Sequence, residues 1–347
     1  MNFIEIKKVP KSKFFIYKYD NITYKLKLFL SKKYYIIKFF FIIIFFVLIF
    51  LFKSFILKQI YFKHKKLKIC LCAIGKNENL YVKEFVSHYI KLGYNKIIIY
   101  DNNEVYGERF EDVIKKEIYK GYVDIINFRG FRGKDNKPQF DAYKDCYEKY
   151  HHKFDWLSFF DFDEFLELKP NNIKIQEFLN NKRYKNCQNI KINWLLYINN
   201  NSLYYENKPV QYRINIPVYE SIINKHIKST VRGNLLINYW SVMNNPHSSL
   251  NNFKSCSSSG QLIDYSSPYN DPPDYEFAIL KHYNYKSFEE YCKKINRGRS
   301  DYDSDIYKKE MIINLYKDNI NNKNKINIMK NIFNISLLKL INYTLIY

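Results

Sequence analysis

Asp161 and Asp163 stand two residues apart, directly behind the apolar run 156–160. Carboxylates at i and i+2 just past a strand point the same way and crowd one small volume. Without a cation they repel each other, and one tends to keep a proton. A hard divalent ion, Mg²⁺ or Mn²⁺, satisfies both and leaves positions open for phosphate oxygens. The chemistry such a pair serves is departure of a diphosphate, with the metal neutralising charge on the leaving group. A polar turn with solvated acids would show the same Asp-x-Asp spacing. The Trp-led strand before this pair and Glu164-Phe165-Leu166 after it set it apart. A haloacid dehalogenase-type phosphatase carries its Asp-x-Asp on the first strand with Thr or Val following, which does not match.

The elements that must position these acids follow from periodicity. Residues 67–74 (LKICLCAI) form a short apolar run of buried-strand type. Residues 78–92 repeat apolar side chains at helical spacing through Val82, Phe85, Val86, Tyr89 and Ile90, and Gly93 ends the helix. A second strand runs over 96–103, and a helix with Phe110, Val113, Ile114 and Ile118 on one face follows. A third strand spans 122–128, a third helix 138–150 begins at a proline, and a fourth strand, 156–160, stands directly before Asp161. This β-α-β-α-β-α-β order predicts a mostly parallel sheet covered by helices, with ligands at the carboxyl ends of its strands. There is no G-x-G-x-x-G after the first strand and no P-loop signature anywhere, so dinucleotide and P-loop chemistry lack support.

Four segments, CAIGKNENLYVKEFVSHYIKLGYNKIIIYDNN, WLSFFDFDEFL, NPHS and KHYNYKSFEEYCKKINRGRSD, come in that order. Together they resemble glycosyltransferase family 92 and related family 2-like enzymes, over about residues 68–303. The resemblance implies a GT-A-type, Rossmann-like α/β domain, usually membrane-anchored, that transfers sugars with inversion. It implies Glu78, Asp101, Asn102, Asn103, Arg129 and Gln139 at the nucleotide-sugar site. Asp161 then faces the ribose or the metal, Asp163 ligates the metal, and His282 is a late metal or diphosphate ligand, with Lys286, Arg297 and Arg299 on phosphates.

Read as residues, several of these keep a second reading. Glu78 could cap its helix, His247 in NPHS competes with His282, and Lys286, Arg297 and Arg299 could line a solvated face with Glu289 and Glu290. Inversion requires a carboxylate general base, for which Glu220, Asp264, Asp274 and Glu276 are candidates, with Asp274 and Glu276 preferred. Trp194 and Trp240 could stack on sugars or sit in the core. Cys70 and Cys72 share a buried face, and disulfides among Cys187, Cys256 and Cys292 are open to a lumenal domain.

The 347-residue chain carries a net charge of +22, from 56 Lys and Arg against 34 acids. Residues 1–68 hold +14 of it and residues 305–347 +4, leaving +4 for the central 236 residues. Only eight of the basic residues are Arg. A nucleic-acid binder needs basic stripes on the folded domain, so that class is disfavoured. Residues 36–57 form one apolar stretch, and 22 helical residues span roughly 33 Å, close to a bilayer core. The expected organisation is therefore a basic cytosolic tail (1–35), a transmembrane signal-anchor (36–57), a stem (58–67) and a GT-A domain (68–304), ending in a helical tail (305–347). The GT-A domain divides into a nucleotide-sugar half (68–168) and an acceptor half (169–304). A type II, single-pass protein of an ER- or Golgi-like membrane, cellular or viral, follows. Its partners are a nucleotide-sugar donor, a glycan, glycoprotein or glycolipid acceptor, and membrane lipid. An inactive GT-A-like binding protein and a lipid-docked basic structural protein are the competing readings.

Overall fold

The computed structural model of the chain describes residues 23, 25, 29–30, 33–34, 37–53, 67–133, 137–199, 201–235, 247, 253–264, 266–298 and 304–334. Two compact units result, Met1–Lys66 and Leu67–Tyr347. In the first, residues 37–53 are helical with largely exposed apolar side chains. The span expected over 36–57 runs past the described residues at both ends. Among those described, no helix is long and apolar enough to cross a membrane. The tail and stem expectations lie mostly outside the described residues.

In the second unit the first four strands and three helices fall where periodicity places them. They are β1 (Ile69–Gly75), α1 (Asn79–Leu92), β2 (Lys96–Asp101), α2 (Glu111–Tyr119), β3 (Val123–Asn127), α3 (Pro138–Tyr150) and β4 (Trp156–Phe159). Along β1 the side chains alternate between two cores, as a period of two demands. Ile69, Leu71 and Ala73 pack with Val82, Phe85 and Tyr89 of α1, whereas Cys70 and Cys72 meet Ala142, Tyr143 and Cys146 of α3 on the opposite face. α1 stops at Gly93, whose φ of 106° lets its N–H reach the carbonyls of Tyr89 and Ile90.

Beyond β4 come β5 (Glu164–Leu168), β6 (Asn189–Ile198), β7 (Ile216–Val218), β8 (Ile227–Arg232), β9 (Ser255–Cys256), β10 (Leu262–Ile263) and β11 (Ala278–His282). All belong to an 11-stranded sheet whose main order is β10-β9-β6-β8-β4-β1-β2-β3. The expectation of a mostly parallel sheet holds only for the half β4-β1-β2-β3. β8 runs antiparallel to both β4 and β6, as β11 does to β5 and β7 to β6. Among the described residues, the connections from β5 to β11 carry only short helical turns or none. Strands without a crossover helix are free to reverse, and the sheet becomes mixed.

Cys187 and Cys256 form a disulfide that ties the start of β6 to β9, while Cys70, Cys72, Cys146 and Cys292 are buried thiols. The bridge closes a loop of 69 positions, for which chain entropy gives about 4 kcal/mol of stabilisation. Reduction is expected to lower the urea midpoint accordingly. An unchanged midpoint in reductant would show that the bridge contributes nothing.

The last described residues include three helices, α4 (Phe288–Arg297), α5 (Ser304–Asn319) and α6 (Lys323–Phe333). Cys292 and Ile295 of α4 form a separate small core with Ile312, Tyr316, Ile326, Met329 and Phe333. The segment expected as a helical tail is thus packed structure through residue 334. Residues 335–347 lie outside the described residues.

Candidate active site

The acidic turn is built on Phe162. This middle residue is buried, stacked on Phe110 at 5.4 Å and packed against Phe85 at 4.7 Å, so the flanking acids project away from that core. The fit explains Gly75 at the end of β1, where an added Cβ would come within 2.5 Å of the Phe162 ring. Within the turn the Asp161 N–H donates to Glu164 Oε2 at 2.8 Å, and the Glu164 N–H to the Asp161 carbonyl at 3.0 Å.

The two aspartates have different partners. Asp161 accepts from Gln139 Nε2 at 2.7 Å, from the Tyr143 hydroxyl at 2.8 Å and from Lys228 Nζ at 2.8 Å. Lys228, from β8, is fully buried and also lies 3.6 Å from the fully buried Glu164. Burial opposes ionisation of Asp161, but the Lys228 ammonium outweighs it and holds the carboxyl below its usual range. Burial instead pushes Glu164 well above the carboxylate range, with Lys228 offsetting only part of the rise. Asp163 accepts from Lys294 Nζ at 2.6 Å, and its Oδ1 lies 3.8 Å from His282 Nε2. Burial again opposes its charge, and Lys294, His282 and Lys286 pull its pKa far down.

Burial lowers His282 to about 4, so its imidazole is neutral near pH 7, and its buried Nδ1 has no hydrogen-bond partner among the described residues. Trp194 packs 4.0 Å from the His282 ring, with His226 and His247 on other sides at 5.0 and 4.9 Å. It is a buried core residue, which decides between its two readings. Trp240 lies outside the described residues. His247, pushed down to about 3 by burial, donates from Nδ1 to the Ile227 carbonyl at 3.1 Å.

At the ends of β1 to β3 the expected residues form a brace. Asp101 is buried, accepts from Arg129 at 2.6 Å and from the Asn103 backbone and side chain, and Asn103 Oδ1 accepts from the Asn77 N–H. Arg129 also donates to the carbonyls of Glu104, Gly107 and Glu108, and Asn102 to those of Phe128 and Phe131. These groups fix the loops around the site, and their hydrogen-bonding capacity is largely spent on one another.

Glu78 makes no side-chain cap to α1. Its Oε1 accepts from Arg297, which also reaches the Lys76 carbonyl at 2.7 Å, and its Oε2 is buried without a partner. Lys286 is buried with Nζ 3.8 Å from the Tyr81 ring centre, its pKa lowered by burial and partly restored by Glu78 and Asp163. On α4, Glu290, Lys294 and Arg297 recur at helical spacing and all face inward, Glu290 pairing with Arg213 at 2.5 Å. The solvated-face reading of Arg297 is thereby set aside, and Arg299 lies outside the described residues. A cavity of about 590 Å³ opens here, lined by Lys76, Glu78, Lys286, Lys294, Arg297 and Lys308 among others, with Asp163 behind Lys294.

None of the candidate bases lines this cavity. Asp274 is held near 2, burial opposing and the Ser257, Glu276 and Ser259 hydrogen bonds prevailing, and it accepts from the Ser258 hydroxyl and the Ser259 N–H. Asp264 caps the turn at Ser266, and Glu220 and Glu276 are exposed. Among the described residues no group of three His, Cys, Asp or Glu side chains is disposed to hold a metal. The expected trio is not assembled, because Asp161 is engaged by Gln139, Tyr143 and Lys228. Sequence reasoning missed Lys228 and Lys294. Lys294 is marked by the 290/294/297 stripe, whereas Lys228, in the mixed stretch IKSTV (227–231), carries no signal of its own.

A half-parallel sheet bearing an acidic turn after its fourth strand and a cationic cavity beyond is the layout of an α/β group-transfer enzyme. The profile of Glycosyltransferase family 92 matches residues 65–323, and the chain belongs to that family. A glycosyltransferase family 92 protein of Oryza sativa subsp. japonica is 26% identical over 125 residues, 36% of this chain and 20% of the rice protein. The chain thus spans only a fifth of that relative's length. Among solved structures, S. aureus TarS overlays with a TM-score of 0.33 at 10% identity, covering 73% of this chain and 44% of TarS. TarS 1–349 in complex with UDP-GlcNAc gives 0.34 at 10% identity, with 80% and 79% covered. Overlays at these scores carry no conclusion about the site.

Proposed function

We propose that this glycosyltransferase family 92 domain, of GT-A type, moves a sugar from a nucleotide-diphosphate donor to a hydroxyl of a glycan, glycoprotein or glycolipid, with inversion. The observation that carries the reading is the cavity in which Lys286, Lys294 and Arg297 face the acidic turn. Three cations on one wall suit a diphosphate, and Asp163 and Glu78 pair with two of them, Lys294 and Arg297.

A divalent cation, Mn²⁺ or Mg²⁺, fits two of the three expected ligands. Asp163 offers an ionised oxygen and His282 a neutral imidazole nitrogen 3.8 Å away. Such a cation, when bound, neutralises charge developing on the departing diphosphate. Lys294 shares Asp163 and is partly exposed, so it can turn towards phosphate. Glu78 orients Arg297, and Lys228, Gln139 and Tyr143 hold the Asp161 carboxylate in one orientation for a donor hydroxyl. We further assign residues 36–57 to a signal-anchor that tethers the domain to membrane lipid, with the basic flank on the anionic leaflet.

Calorimetric titration of the full chain in detergent with a panel of UDP- and GDP-sugars tests the donor assignment. At least one donor should bind, and chelation of Mn²⁺ should weaken it by about tenfold or more. Failure of every nucleotide sugar to bind in Mn²⁺ refutes it.

A further inference from the structure

α4 has two working faces. Glu290, Lys294 and Arg297 point to the cavity, where they meet Arg213, Asp163 and Glu78. Cys292 and Ile295 point the other way, into the small core completed by Ile312 and Tyr316 of α5 and by Ile326, Met329 and Phe333 of α6. The N-terminus of α4 is fixed by a capping box, Ser287 accepting from the Glu290 N–H and Glu290 from that of Ser287. Its last turn, where Lys294 and Arg297 sit, has one local closing bond, from the Gly298 N–H to the Ile295 carbonyl at 3.1 Å. That turn is also held from outside: Lys308 of α5 donates to the Asn296 carbonyl at 3.0 Å, and Ile295 is clamped by α5 and α6. Lys308 also lines the cavity itself. Most of α6 lies beyond residue 323, where the family match ends.

We propose that α5 and α6 are part of the donor-phosphate site: they set the position of Lys294 and Arg297 through the back of α4, and Lys308 adds a cation to the cavity rim. This rests on the donor assignment above. Met329, fully buried at the centre of the small core, and the other side chains of α6 act as positioning residues, because none of them lines the cavity. Loosening that core frees the last turn of α4. The charges that bind phosphate then move while the sheet and the acidic turn stay in place.

The test uses full-length protein, inorganic pyrophosphate as the probe, and hydrogen exchange of the α4 and β1–β2 amides. In Met329→Ala the pyrophosphate Kd should rise about tenfold, with faster exchange in α4 and unchanged exchange in β1 and β2. Met329→Leu, which keeps the volume, should stay near wild type. Lys308→Ala should weaken pyrophosphate about threefold. Should Met329→Ala fail to fold, the Lys308 arm decides. Unchanged pyrophosphate affinity in Met329→Ala and Lys308→Ala overturns the inference and leaves the donor assignment standing. Failure of the wild type to bind pyrophosphate overturns both.

Discussion

Lys228→Met should cost the folded domain about 3–5 kcal/mol, a fall of roughly 10 °C in Tm. Lys228 has no exposed surface, and its ammonium sits between Asp161 and Glu164. Burial pushes the Glu164 carboxyl well above its usual range while Lys228 holds Asp161 below its own, so Asp161 is the acid that Lys228 chiefly keeps ionised. Methionine fills the same space but leaves the Asp161 carboxylate in a poorly solvated site without its cation. The double variant Lys228→Met, Asp161→Asn removes both charges together and should recover most of the loss. Urea unfolding of the two single variants and the double variant measures the coupling. A Lys228→Met protein within 1 kcal/mol of wild type would show that the ammonium is not what holds the turn.

Asp163→Asn should behave in the opposite way, with turnover cut by roughly 100-fold or more and Tm nearly kept. Its main partner, Lys294, is partly exposed and can return to water or to Asn284, which it already contacts at 2.6 Å. What the amide removes is the negative oxygen beside His282, and with it the anionic half of the pair assigned to the cation. Asp161→Asn provides the contrast. It strands a fully buried lysine, so it should lose stability as well as donor affinity. Steady-state kinetics with varied Mn²⁺, alongside thermal melts, separates the two aspartates. Equal loss of Tm in both would contradict the division of labour between them.

That division was not legible in the sequence. The spacing of Asp161 and Asp163 gives them a shared direction, but their partners come from 67 and 131 residues further along the chain. Lys228 looks like an ordinary residue of a short strand until β8 is known to run against β4. The local half of the fold was readable because local rules govern it. Gly93 and Pro138 mark helix ends, and the stripe 82/85/86/89 has a helical period. The mixed half depends on which strand reverses onto which, and nothing within IKSTVR or AILKH states it. The same holds for α4: the pattern 290/294/297 is visible, but a solvated face and a site wall share it. Only the small core behind Cys292 and Ile295 decides which face turns inward. Asp101 and Arg129 were placed correctly at strand ends, yet they spend their charges on each other.

The charge of +22 that the chain presents is likewise resolved by position, since +14 of it precedes residue 69. Within the folded domain the cations that matter are few: Lys228 and Lys286 are buried, Lys294 and Arg297 partly exposed, and Lys228, Lys294 and Arg297 pair with Asp161, Asp163 and Glu78.

The central claim, that the Asp163 turn and the cationic cavity together release a nucleotide diphosphate from its sugar, is tested most directly by one assay. Nucleotide release from a panel of nucleotide sugars is followed with full-length protein in Mn²⁺, wild type beside Asp163→Asn. Release from at least one donor is expected of the wild type, abolished by chelation and reduced about 100-fold or more in the variant. Release that proceeds equally in Asp163→Asn, or none from any donor in the folded wild type, would contradict it.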